Sequence, residues 1–226
     1  MKKNSELKNT ALSALKGNWA PALIGSIFIS VATGVLMAPA YCANMASFGM
    51  PIFSAISPVV LKVFTNSSIF INIFLLYPLM LGYTVAHNDL LVSGDARVTS
   101  NTIRHTFSGY LKNVGAMLLV YLFAALWALL LIIPGIIKGL AYSMTPFIIK
   151  EYPELSANQA IDLSIKMMKG HKFDLFYLYL SFLGWIILSM LTLGIGLLWV
   201  IPYMQTTLAA FYQEVKAEYI SSNINN

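Results

Sequence analysis

Apolar runs of near-bilayer length alternate with short polar stretches along this chain. A spanning helix needs about 20 mostly apolar residues. Ala20–Ala40, Ser67–Ala86, Val114–Ile133, Phe173–Leu191 and Leu193–Tyr212 all meet that pattern. Ile136–Ile149 is shorter, about 21 Å at 1.5 Å per residue, against a hydrocarbon core of about 30 Å. It carries only Lys138, and Pro134-Gly135 before it marks a turn. We read it as a further span, thinned or tilted and broken near Pro146. A re-entrant segment there would put the basic stretches 97–112 and 150–172 on opposite sides. Six spans keep them together, with both termini. The prediction is an all-α polytopic membrane helical bundle of six transmembrane helices (20–40, 67–86, 114–133, 136–149, 173–191 and 193–212), one integral membrane domain over 1–226. Pro78 should kink the second span. The stretch Tyr41–Asn66, punctuated by Gly49, Pro51 and Pro58, reads as a hydrophobic loop or half-helix on the outer side.

Charge follows these spans. All nine acids and twelve of the fourteen Lys/Arg fall on one side, leaving Lys62 and Lys138 on the other. Lys and Arg near span ends stay cytoplasmic. The expected location is therefore the cell (cytoplasmic) membrane, multi-pass, with both termini cytoplasmic. Composition agrees: 226 residues, 58% hydrophobic and 10% charged, with mean hydropathy +0.72, where globular domains are about 25% charged. Twelve cations against nine acids leave the inner face basic, suited to anionic headgroups. No Lys/Arg run interleaves with aromatics, so no nucleic acid is expected. Ala38-Pro39-Ala40 has the small-x-small form of a signal-peptide cleavage site. The long amphipathic leader and the full spanning length favour an uncleaved first span.

Three inner segments share a pattern: an amphipathic helix ending near a Lys, a polar break, then a span. They are Leu7, Ala11, Ala14, Leu15 before Lys16-Gly17-Asn18; Ile103, Phe107, Tyr110, Leu111 before Lys112-Asn113; and Ala160, Ser164, Met167, Met168 before Lys169-Gly170-His171. Their apolar residues recur on one helix face, and such helices lie in the headgroup plane. Ser156 and Gln159 form a capping box for the third. Gly17 and Gly170 suit helix C-terminal caps. The pattern points to amphipathic interfacial helices and a three-fold internal repeat of interfacial helix plus hairpin.

Chemistry is sparse. The lone Cys42 excludes an intramolecular disulfide. His87, His105 and His171 have no second His or carboxylate at metal-ligand spacing, although His171 stands near Asp174. Gly194-x-Gly196 lacks the strand–helix context of a dinucleotide site. No Asp, Glu or Arg lies centrally in a span, where ion-coupled transporters carry relays. Asn72, Ser143, Thr145, Ser181, Ser189 and Gln205 are the polar groups there, suited to helix–helix bonds or to a neutral path. Gly184 is the expected close approach between the last two spans. Trp185, Trp199, Tyr203 and Tyr212 anchor at interfaces, pack the bundle, or line an aromatic groove. No catalytic, cofactor-binding or metal residue, and no cofactor, is assigned.

Several stretches resemble a bacterial family of polytopic membrane proteins known only as a domain of unknown function, number 975. They are Ala14-Leu15-Lys16-Gly17-Asn18-Trp19, Ile133-Pro134-Gly135-Ile136, Ala160-Ile161 with Ser164, Met168-Lys169-Gly170, Leu180 to Trp185, Gly194-Ile195-Gly196, Pro202-Tyr203 and Phe211-Tyr212. The resemblance implies an integral cytoplasmic-membrane protein and no particular activity. The sequence thus leads to a non-enzymatic scaffold, accessory or envelope-maintenance protein; the alternative is a facilitator or transporter of a lipid or uncharged small solute. Membrane lipids are the expected partners, with room for a protein partner or a second copy.

Overall fold

The computed structural model describes residues 2–48, 57–130 and 132–224, and every described element is helical. In chain order they are α1 (Asn4–Leu15), α2 (Trp19–Ser47), α3 (Pro58–Ile71), a π turn (Asn72–Leu76), α4 (Tyr77–Ser93), α5 (Val98–Phe107) and α6 (Tyr110–Leu130). Then come α7 (Ile132–Tyr142), α8 (Thr145–Glu151), α9 (Ala157–Met167), α10 (Lys172–Leu180), α11 (Leu183–Leu191) and α12 (Leu197–Ile224). Four helical stretches are long and apolar enough to cross a membrane: Trp19–Ala46, Thr65–Ser93, Tyr110–Leu129 and Lys172–Leu191. That marks a membrane protein.

Burial is graded along these helices. α6 buries Asn113, Val114, Ala116 and Met117 in its first turns, then exposes Leu122, Leu126 and Leu129. α7 runs the other way, exposing Ile133, Ile136 and Ile137 before burying Ala141 and Tyr142. α2 buries Ala22, Ser26 and Ile29 and exposes Val31, Val35 and Tyr41. The core therefore sits at one end, where the charged segments gather, and the other end presents apolar side chains outward. In water each such side chain would forgo about 1.5–3 kcal/mol of burial; in lipid it forgoes nothing.

The second span accommodates its proline with a π turn. Pro78 has no N–H for the Phe74 carbonyl. The helix widens just before it, with the Tyr77 N–H reaching back five residues to Asn72 O. The freed Phe74 carbonyl accepts a hydrogen bond from the Tyr110 hydroxyl. Pro39 is carried inside α2 without a break.

Each of α1, α5 and α9 is followed by a left-handed glycine, Gly17 (φ 83°), Gly109 (φ 66°) and Gly170 (φ 95°), and then by a long apolar stretch. α2 packs on α3, α6 on α7, and α11 on α12. The capping box at Ser156 and Gln159 is present in both directions. The buried faces of α1 (Leu7, Ala11, Leu15) and α9 (Ala160, Ser164, Met167) match the sequence pattern.

α5 does not match it. The helix stops at Phe107 rather than Lys112, and Ile103 and Phe107 face outward. Its packed face is Val98, Asn101, Thr102 and Thr106. Both threonine hydroxyls bond back to their own helix, at Val98 O and Thr102 O, 2.7 Å each. The threonines therefore pack against Gly82 of α4 without stranding a hydroxyl donor.

Two further segments differ from the spans expected at 136–149 and 193–212. The first is split at Ser143-Met144 into α7 and α8, about 16 Å and 10 Å long, with Pro146 opening α8, so the break expected near Pro146 is there. The second begins as a turn, with Leu193 at φ 53° and Gly194 at φ 85°, and continues as α12 well past Tyr212. Of the stretch Tyr41–Asn66, residues Tyr41–Ser47 prolong α2 and Pro58–Asn66 open α3, with Phe48 and Ser57 as their caps. Gly49 and Pro51 lie outside the described residues.

Gly184 is also reassigned. A Cβ there would meet open space, whereas one on Gly196 would lie 2.7 Å from Ser189 Oγ. The close contact between α11 and α12 is at Gly196, one hairpin turn from Ser189.

Candidate functional site

Segments far apart in sequence meet in one polar cap. The Lys150 amine donates to Ser108 O, and Lys112 donates to Pro153 O at 2.6 Å. The end of α8 thus returns beside the start of α6. Gln213 of α12 donates to Asn88 of α4 at 2.8 Å. Glu151 accepts from the Tyr212 hydroxyl and pairs with Lys216. Asp89 is shared by His105 at 2.6 Å and Arg104 at 3.4 Å. Lys2 pairs with Glu214 at 3.0 Å. Between Asp89, His105, Lys150, Glu151 and Lys216 lies a cleft of about 270 Å3.

Electrostatics in the cap follow these partners. Burial, reinforced by the neighbouring Lys112 charge, brings the Lys150 amine down to about 8. The Arg97 guanidinium, with Asn101, holds the Asp95 carboxyl well below the usual range. The pairs at Asp89 and Glu151 join different helices, so the charges are spent holding the cap together.

The three histidines fall in three settings. His105 belongs to the Asp89 pair. His171 lies 3.4 Å from both Asp174 and Glu218. His87 is fully buried, with Nδ1 at 2.9 Å from Tyr83 O and its ring edge-on to Tyr83. Among the described residues no three His, Cys, Asp or Glu side chains come together as a metal site. The span hydroxyls bond mostly within their own helices: Ser189 to Trp185 O at 2.7 Å, Ser181 to Leu178 O at 2.6 Å and Ser143 to Leu140 O at 2.6 Å. Lys138 lies 4.7 Å from the Trp127 ring centroid.

A second feature lies at the side of the bundle. α1 runs antiparallel along α12, tied at one end by Lys2–Glu214 and facing Trp199 and Tyr203 at the other. There Leu12, Trp19, Trp185, Trp199, Val200 and Tyr203 line an apolar groove of about 250 Å3. Trp185, Trp199 and Tyr203 were legible as aromatic candidates. Leu12 and Trp19 were not, because only the antiparallel packing of α1 carries them there. Tyr212 is not in the groove; it stacks on Phe147 at 4.6 Å.

No curated protein and no solved structure matches the chain. Residues 97–219, more than half of the sequence, match a family described as protein of unknown function, DUF975. The match opens at the N-cap of α5 and reaches into α12, leaving the N-terminal likeness around Ala14–Trp19 outside it. By that match the chain belongs to the DUF975 family.

Proposed function

We infer that the protein is a non-enzymatic scaffold or accessory factor of the cytoplasmic membrane, acting in envelope maintenance or assembly. One observation carries this reading. Where α4, α8 and α12 meet beneath the cap, Tyr83, Met144, Phe147, Ile148, Phe211 and Tyr212 are fully buried, filling the space a conduction path would need. Asp89 and Glu151 are paired with cations, and Lys112 and Lys150 donate to backbone carbonyls, which suits a rigid docking face better than turnover. In this reading α7–α8 and α12 are the returning limbs of a six-span topology, with the cap and both termini cytoplasmic. The three units α1–α4, α5–α8 and α9–α12 are then copies of one interfacial-helix-plus-hairpin design.

The test is native mass spectrometry of the protein extracted in lipid nanodiscs. A stoichiometric protein companion supports the scaffold. Retention of a small molecule without a companion, together with solute flux in proteoliposomes, overturns it. A lipid-handling facilitator is the second reading, favoured by the apolar groove at Trp19, Trp185 and Trp199, which opens on the side of the bundle.

A further inference from the structure

Three of the four tryptophans of this chain converge on one groove. Its walls carry almost no polar atoms, so it cannot satisfy the backbone of an inserted peptide. At about 250 Å3 it lies just below the size of ordinary small-molecule pockets, about 300–1,000 Å3, and suits a run of methylenes. Indoles prefer the bilayer interface, where one end is apolar and the other wet.

Two lysines lie close to Leu12 in the chain. Lys8 is one turn before it on α1, and Lys16 is the C-cap that ends the helix. The Lys8 amine sits 4.1 Å from the Phe182 ring centroid and donates to Ser181 O at 3.0 Å. Phe182 in turn packs edge-on against Tyr203 of the groove, 5.1 Å between centroids. Ser181 also lines a wide cleft of about 660 Å3 with Lys2, Lys3 and Asp174. Of the nearby acids, Glu214 pairs with Lys2 and Asp174 faces His171, while Glu6 stands two residues from Lys8, on another face of α1. A zwitterionic headgroup would bring its own cation against these lysines; an anionic one would not.

We propose that this groove binds one anionic phospholipid of the surrounding bilayer, its acyl chain against Trp19, Trp185 and Trp199 and its phosphate between Lys8 and Lys16. The site goes beyond the scaffold reading, because a scaffold needs no lipid preference.

The experiment uses the full chain carrying Trp127→Phe, so that only the three groove indoles report, in phosphatidylcholine vesicles. A minor fraction of dibrominated phosphatidylglycerol or dibrominated phosphatidylcholine is added, and tryptophan quenching is read. The expected result is half-maximal quenching at a several-fold lower fraction of the anionic lipid. The two curves should coincide in Lys8→Gln/Lys16→Gln and stay apart in Lys8→Arg. Equal quenching of the parent protein by both lipids overturns the proposal without any lysine variant having to fold. So does a double variant of unchanged helicity that keeps the preference.

Discussion

Gly82 offers the sharpest test of the packing between α4 and α5. A Cβ at this position would lie 2.4 Å from the carbonyl oxygen of Thr102 and 2.4 Å from Thr106 Oγ1. Ordinary carbon–oxygen approaches are about 3.3 Å or more, so a methyl group is nearly 1 Å too close. The obstructing carbonyl is backbone, and it cannot swing aside as a side-chain end would. Overpacking of this kind costs about 1–3 kcal/mol, and the upper part of that range fits a backbone clash. Replacing glycine by alanine in a helix returns about 1 kcal/mol. The net loss for Gly82→Ala is then about 1–2 kcal/mol, or about 2–8 °C in Tm for a chain of this size. Gly184→Ala is the internal control, since its Cβ meets open space and only the propensity gain remains, raising Tm by about 2–4 °C. The assay is thermal unfolding of both variants in the same detergent, with size-exclusion profiles before and after heating. Gly82→Ala melting at or above the parent, with Gly184→Ala below it, would refute the assignment of close and open glycines.

Tyr110→Phe removes the donor to the carbonyl that Pro78 strands at Phe74; the expected cost is about 1 kcal/mol, read as lower Tm, with a Tyr110→Phe/Pro78→Ala pair recovering part of it. Lys150, held down to about 8 against an ordinary 10.5, should react with amine reagents with a midpoint near pH 8, read by peptide mass spectrometry. Because its folded-state pKa is depressed, the folded state binds the proton less tightly than the unfolded one. Its contribution to stability therefore rises as pH climbs from about 8 to 10.5, and Lys150→Met should flatten that rise. For topology, single cysteines at Ser57 and Ser156 in a Cys42→Ser background should differ on intact cells. An impermeant maleimide labels Ser57→Cys and spares Ser156→Cys, and equal labelling of both would sink the six-span proposal.

Helix periodicity and end signals made much of the fold legible. Ser156 and Gln159 announce the start of α9, and Leu7, Ala11 and Leu15 announce the buried face of α1, because local sequence alone fixes those features. The α5 face was misread for a physical reason. Thr102 and Thr106 count as polar in any pattern, yet hydroxyls bonded to their own helix pack as small apolar groups once a glycine lies opposite. The left-handed Gly109 hid behind the apolar Tyr110 and Leu111, which extend the pattern past the true helix end. The sequence shows small residues at both Gly184 and Gly196, but not which of them the hairpin turn brings against Ser189. The groove was half legible. Trp185, Trp199 and Tyr203 share the last hairpin, but Trp19 and Leu12 arrive from the opposite end of the chain, and no local pattern encodes that meeting.

The gradient of burial links these details to one physical cause. A helix pair in lipid gains little from burying leucine, since the acyl chains are equally apolar, so the distal hairpins approach closely where glycines allow it. Gly135 lies against Ala128, where a Cβ would come within 2.7 Å of its Cα, and Gly196 lies against Ser189. Toward the charged end water returns and the hydrophobic effect with it. There the chain buries Tyr83, Phe147, Phe211 and Tyr212 and ties the helices with Glu151, Lys216, Asp89 and His105. Dense packing and ion pairs are thus concentrated in the cap. The groove at Trp19, Trp185 and Trp199 draws its walls from the cap helix α1, the start of α2 and the apolar hairpin of α11 and α12, so whatever occupies it feels both regimes. That is why a lipid preference set by Lys8 and Lys16, if measured, would report on the packing of the cap as well as on the membrane around it.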